Sequence, residues 1–388
     1  MRWNFSAFYF LTFFGIGSLY PLLTVYLDEN IGLTGSQIGV IMSISPVVMI
    51  IVQPMWGMLS DWTQKPKVLL TIAIVLTSLI GFIYSFMDTY VTIFIIAIFI
   101  ATAQSAIVPL SDSITLNYVQ KVNGNYGSFR LWGALGFAIS VLVVGRAAEF
   151  VGLTVIFYSF AIVLFLSTIF SWRLPGESQR IQTNLFQGIH SLGKRPRFLL
   201  FLLTTFLIFG PIYANNFYFG LLIKDLGGTL TGVGIAFLLA AGSEAPFMQY
   251  ARKFIQRVGM LHVLLIAASI SMIRWYFYFY EPSLFLVYAT TIAQGISVGL
   301  FIPAALQYVR DISPKEVHIT AVSLYSAIGN GLGSWFCTYF GGIILELNSI
   351  QAVYLFYGVL TTFGVITLLA ITRIDHIKRR TALRQASN

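Results

Sequence analysis

The sequence predicts an all-α membrane protein of twelve transmembrane helices arranged as two six-helix bundles. Three observations carry that reading. The 388 residues are 57% hydrophobic and only 10% charged, whereas a soluble domain carries about 25% charge. So few charges cannot cover a water-exposed surface of this size. A span needs ~20 apolar residues to cross a ~30 Å hydrocarbon core, and twelve such stretches lie near 5–28, 37–60, 66–86, 90–119, 128–148, 151–173, 198–224, 231–255, 261–280, 283–310, 318–345 and 350–373. The longest polar stretch, 174–197, divides them into six and six.

Taken in order, the first stretch has the apolar core of a signal peptide. It is too long for one, lacks a small-x-small cleavage site and is followed by eleven more stretches, so it reads as the first span. Residues 1–173 then form an N-terminal six-helix bundle, 174–197 a cytoplasmic linker, 198–373 a C-terminal six-helix bundle and 374–388 a basic cytoplasmic tail. The formal net charge of +9 does not point to nucleic acid, because of where the charge lies. All lysines and arginines except Arg130, Arg146, Lys224 and Arg274 fall in the termini or in the loops that share a side with them. That asymmetry places both termini in the cytoplasm of a multi-pass inner-membrane protein. The tail fixes topology and touches anionic headgroups. The single cysteine, Cys337, excludes an intrachain disulfide.

Weak internal repetition supports the two halves. Leu116, Tyr118 and Val119 recur as Leu306, Tyr308 and Val309, and Ala134-Leu135-Gly136 is echoed by Gly331-Leu332-Gly333. Parallel repeats of six spans suit a carrier with a midplane site between them. Pro21, Pro46, Pro54, Pro109, Pro211, Pro246 and Pro303 punctuate the helices. Gly329, Gly331 and Gly333 most simply allow close helix packing, and Pro246 is the best candidate for a bend that serves alternation.

Leaving aside charges near loops on the basic side or at the opposite ends, four charges are read as intramembrane: Asp112, Arg130, Glu244 and Arg274. A charge at bilayer depth is costly and is kept only when paired, wetted or useful. Asp112 and Arg130 are spaced evenly about Lys121, and Glu244 and Arg274 evenly about Gly259, so two helical hairpins would set each acid level with its arginine. A guanidinium presents a planar fork of donors to hydroxyls or carbonyls, and a carboxylate accepts from hydroxyls. An acid that loses its arginine during a conformational change can take up a proton. Glu244, the deeper acid, is the expected coupling group, and Asp112 mainly a solute ligand. The competing reading makes both pairs permanent salt bridges that hold the hairpins together. Asn215, Asn216, Gln104, Asn117, Gln53, Gln294 and Asn330 either line a cavity or bond between helices. Tyr20, Tyr26, Tyr213, Trp132 and Trp275 either stack on a solute ring or pack.

The loop Gly57-Met-Leu-Ser-Asp61-Trp-Thr-Gln-Lys65-Pro-Lys67 resembles the signature of the major facilitator superfamily, with Gln64 where a Gly is usual. The resemblance implies that Asp61 and Lys65 serve a cytoplasmic gate. Pro109-Leu-Ser-Asp112 with Tyr126-Gly127-Ser-Phe-Arg130-Leu-Trp132-Gly133-Ala-Leu-Gly136-Phe137 is similar to the branch of lactose permease and the nucleoside and phenylpropionate proton symporters. It implies that Asp112 and Arg130 bind substrate and that Phe137 stacks on a ring. Gly242-Ser-Glu244 and Ser-Met-Ile-Arg274 resemble the acidic and arginine segments of the same branch, implying recognition or coupling by Glu244 and proton control by Arg274. Span ten departs from lactose permease, with Gln294 and Ser297 in place of its His and Glu. Pro211, Ala214, Thr291 and Asn330 replace two Asp–Lys pairs, and joint loss is consistent because one buried partner left alone is costly.

The expected protein is therefore a proton-coupled importer of a small polar solute, a sugar or nucleoside, working by alternating access. Expected solute ligands are Asp112, Arg130, Phe137, Glu244, Asn215 and Gln294. Its expected partners are the solute, protons and membrane lipids, with no nucleic acid, no cofactor and a monomeric state. The alternatives are an efflux carrier for drugs or metabolites and an importer of aromatic acids; a sensor is disfavoured, since the tail is too short to fold as a signalling domain. No spacing suggests a metal site, no Gly-x-x-x-x-Gly-Lys-Ser/Thr loop suggests ATP, and no nucleophile–base pair suggests an enzyme.

Overall fold

A computed structural model describes residues 1–122, 126–176 and 190–386. The turn between the Asp112 and Arg130 helices, most of the predicted linker and the last two residues of the tail lie outside the described residues. In lipid every backbone polar group must be satisfied within its own element, so the spans are helices. They are α1 (Arg2–Glu29), α2 (Gly35–Thr63), α3 (Pro66–Tyr84), α4 (Tyr90–Gln104), α5 (Ile107–Lys121), α6 (Tyr126–Val151) and α7 (Val155–Ser171) in the first half. The second half has α8 (Pro196–Asp225), α9 (Leu230–Val258), α10 (Met260–Phe279), α11 (Leu284–Ile312), α12 (His318–Ser326), α13 (Ser334–Leu347) and α14 (Ile350–Ala386).

Local chemistry sets the helix ends. Thr34 caps α2 in a reciprocal box with Gln37, and Thr229 caps α9 by accepting from the Gly232 N–H. Pro66 and Pro196 open α3 and α8, where a missing N–H costs nothing. Gly259, at φ 91°, turns the chain between α9 and α10.

Two spans differ from the uninterrupted helices the sequence predicts. The fourth divides into α4 and α5 around Ser105 and Ala106, because Pro109 cannot donate to the Ser105 carbonyl and its ring crowds that group. The eleventh is α12, a seven-residue π-helical segment Ala327–Gly333, and α13. The basic tail is no separate element: α14 runs on to Ala386.

The antiparallel order puts both termini at one end of the molecule, the terminal end, and Glu29, Gly35, Val151, Asp225, Leu230 and Leu347 at the other, the distal end. Within the halves α1 packs on α6 and α7, α8 on α14 and the π segment, and α9 and α10 on α11. The repeats recur as packing. Tyr118 stacks on Phe5 of α1 at 4.7 Å between ring centres, and Tyr308 meets Phe201 of α8 at the same 4.7 Å with its ring tilted. Gly136 seats against the Phe10 carbonyl of α1, as Gly333 does against the Phe206 carbonyl of α8.

The halves meet through α1–α8, α2–α13 and α6–α9, mainly towards the distal end. There Thr24 Oγ1 donates to the Phe217 carbonyl, and Lys224 pairs with Glu29 at 3.1 Å. A Cβ on Gly39 would stand 2.8 Å from the Gly342 Cα, and Gly145 seats against the Leu230 carbonyl. Among the described residues no extended contact joins α5 to α11 at the terminal end. Among the described residues the two halves meet distally and stand apart terminally.

Candidate solute site between the two halves

The first charged centre belongs to α1, α5 and α6. Asp112 on α5 is half-buried, and the Tyr9 hydroxyl of α1 donates to its Oδ1 at 2.6 Å. The Tyr9 hydroxyl also lies 3.2 Å from Thr115 Oγ1, and Tyr126, at the start of α6, faces the same carboxylate. Arg130 stands one turn further along α6, its guanidinium carbon 4.3 Å from the Phe13 ring centre. Its Nη1 is buried without a hydrogen-bond partner. Among the described residues no ion pair joins Asp112 to Arg130. The direct pair expected from the spacing is thus replaced. Tyrosines hold the acid, and an aromatic face carries the cation.

The second centre belongs to α9, α10 and α11. Arg274 is 3% exposed. Its Nη2 donates to Tyr278 Oη and to Gln294 Oε1, each at 3.1 Å, while its Nε has no partner. Trp275 and Tyr278 lie 5.2 and 5.4 Å from the guanidinium carbon. The Gln294 amide also faces Glu244. Here too the direct acid–arginine pair is absent among the described residues, and Gln294 bridges the two because its amide accepts at one atom and donates at the other.

Tyr213 of α8 lies between the centres, within electrostatic reach of both Glu244 and Arg130. An aromatic ladder roofs the space on the distal side. Phe137 meets Phe237 at 5.9 Å across the α6–α9 contact, Phe237 meets Phe219 at 5.9 Å, and Phe219 stacks on Tyr278 at 6.1 Å. The ring expected to stack on a solute is in this conformation part of that closure.

The remaining expected residues divide. Gln294 joins the second centre. Asn215 does not join the open site: it is 2% exposed and its Oδ1 accepts from Tyr354 Oη at 2.9 Å, bracing α8 against α14. Asp61 and Lys65 are exposed at the terminal end and form no ion pair among the described residues. Gln64, the departure from the loop signature, ends α2 in a left-handed conformation at φ 53°. Tyr9, Phe13 and Tyr278 were not distinguished by the sequence. Among 20 tyrosines and 34 phenylalanines, only contact with a charge marks them.

Comparison with known proteins agrees with this geometry. Residues 2–356 match the MFS_1-like family. A maltose permease of Geobacillus stearothermophilus is 51% identical over 95% of this chain and 94% of its own. A raffinose permease of Escherichia coli is 21% identical over 96% and 94%. Among solved structures, the nucleoside transporter NupG superposes with a TM-score of 0.85 at 18% identity, covering 96% of this chain and 98% of its own. The helices, the two charged centres and these likenesses identify a multi-pass membrane transporter, not an enzyme, and the chain belongs to the MFS_1-like family of the major facilitator superfamily.

Proposed function

We propose that this protein imports a maltose-type sugar together with protons across the inner membrane, by alternating access between its two six-helix bundles, residues 1–173 and 198–373. The observation that carries the reading is Arg130, a half-buried side chain whose guanidinium Nη1 has no hydrogen-bond partner, set near an accepting carboxylate at Asp112 and across from Glu244. A sugar hydroxyl both accepts and donates, so one hydroxylated ring engages Arg130 and a carboxylate together. The apolar ring face suits Phe13 and Tyr213. The 51% identical relative named as a maltose permease supports the sugar class over the nucleoside class.

The basic terminal end lies in the cytoplasm in this reading, and the described conformation is open inward. Asp61 and Lys65 then pair only when the terminal end shuts. Glu244 is the proton-carrying acid, and Gln294 and Arg274 set its surroundings. The test is uptake of labelled maltose into proteoliposomes with and without an inward proton gradient, beside uridine and sucrose. Gradient-driven maltose accumulation with external alkalinisation is expected. Uptake of uridine with none of maltose overturns the sugar reading.

Closure at the distal end makes a further expectation. Gly342 lies against Gly39 so closely that an added Cβ would meet the Gly39 Cα at 2.5 Å. Gly342→Leu would hold α2 and α13 apart, because neither backbone can retreat without unpacking its own bundle. Net transport is expected to fall at least tenfold in proteoliposomes while solute binding persists. Wild-type uptake by this variant would show that the contact is not required for the cycle.

A further inference from the structure

We propose that Asn330, carried by the π-helical segment of the eleventh span, is a solute-binding residue that sets specificity. This deepens the transport reading above and rests on it. Polar side chains exposed at the middle of a span face a cavity or a partner rather than lipid, and π segments inside α-helices concentrate at functional sites. Three glycines seat this segment. Gly329 lies against Thr205 and Phe209, Gly333 against Phe206 and Gly210, and Gly331 against Ile50 of α2. With those directions filled by α8 and α2, Asn330 remains exposed. Its amide meets the Tyr213 hydroxyl, on the ring that senses both Arg130 and Glu244. Asn330 thus borders the space between the two charged centres and offers a donor and an acceptor at once.

The experiment measures maltose uptake by wild type, Asn330→Ala and Asn330→Gln in proteoliposomes, with the half-saturating concentration and turnover separated. Asn330→Ala should raise half-saturation by about three- to tenfold with turnover within about twofold, since one lost hydrogen bond between neutral groups is worth roughly that factor. Asn330→Gln should recover part of the loss. Unchanged half-saturation, or a loss confined to turnover, overturns the assignment. If wild type takes up a nucleoside instead of maltose, the sugar reading fails, and the same comparison on that nucleoside decides for or against Asn330.

A separate observation carries a second inference. We infer that the distal gate is latched by two glutamates that cap helices of the opposite half. Glu149, at the end of α6, accepts at Oε1 from the Thr231 N–H of α9 at 2.8 Å. Glu346, at the end of α13, accepts at Oε2 from the Ser36 N–H of α2 at 2.8 Å. The two contacts occupy corresponding places in the two halves. In each helix a threonine, Thr34 or Thr229, takes the N–H three residues on, and the foreign glutamate takes the one between. A helix N-terminus leaves such donors unmet and attracts negative charge. Each glutamate therefore satisfies the other half's helix only while the distal end is shut. Opening must break both together with the Glu29–Lys224 pair.

The test places a reporter at the closed contact. Val25 is fully buried against Gly220, and Cys337 is replaced by Ser to leave Val25→Cys as the sole thiol. Glu149→Gln and Glu346→Gln should each raise the rate of maleimide labelling by roughly threefold, and the double variant by roughly tenfold, as expected for losing one or two exposed charged caps. Effects of similar size are expected from both, although Glu149 also pairs with Arg146 of its own helix at 3.0 Å. Labelling unchanged in the double variant, or changed by one glutamate only, overturns the paired latch. Thermal melts separate a shifted gate from a damaged fold.

Discussion

Replacing Arg130 with alanine is expected to reduce maltose uptake by two orders of magnitude while leaving the folded protein as stable as before. Both halves of that expectation follow from where the guanidinium sits. Its Nη1 is buried with no partner, so that donor is left for a solute, and a charge-assisted bond contributes roughly 1.5–3 kcal/mol. Losing about 2.7 kcal/mol is a hundredfold effect. Breaking a buried ion pair would instead destabilise the fold by about 3–5 kcal/mol, because it strands the other charge. Asp112 is not stranded here, since Tyr9 already donates to it. Arg130→Lys should lose nearly as much uptake, because an ammonium lacks the planar fork and lies less well over Phe13. Uptake assays and thermal melts of both variants check this. A collapsed melting temperature, or uptake within threefold of wild type, would refute it.

Neutralising Glu244 as Glu244→Gln is expected to abolish accumulation against a gradient while exchange of internal for external maltose continues. A glutamine has the shape and hydrogen-bonding reach of the acid but carries no exchangeable charge. Arg274 keeps its bonds to Tyr278 and Gln294, so the change leaves no bare cation to distort the site. Coupling and binding then separate. The steady-state maltose gradient should fall at least tenfold, and counterflow should persist without dependence on pH. Full gradient-driven accumulation by this variant would remove Glu244 from the proton path. Loss of counterflow as well would make it a solute ligand first.

Much of this molecule was legible in the chain. Apolar length, the scarcity of charge and the placement of basic residues identified the spans, since hydrocarbon thickness and water avoidance act on composition alone. The Tyr118/Tyr308 and Gly136/Gly333 repeats were visible as letters, and folding set each against the corresponding helix of its own half, a phenylalanine ring for the tyrosines and a phenylalanine carbonyl for the glycines. Asp112, Arg130, Glu244 and Arg274 stood out because charge at depth is rare. Their direct pairing did not follow from matched spacing. Spacing sets where a residue lies along a helix, while the rotation of the helix and the side chains facing it decide what it touches. Asn215 shows the same limit: a polar residue of α8 turned to Tyr354 and away from the open site.

The sequence by itself determined that this chain crosses a membrane many times, that its basic loops share one side and that four charges need a reason to be there. Only the tertiary structure decided that tyrosines and a glutamine stand between acid and arginine, that the distal end is the closed one and that the eleventh span winds as a π-helix. The physical reason is range. Transfer into lipid is summed residue by residue and can be read locally, whereas pairing, closure and register depend on which surfaces two distant helices present to each other.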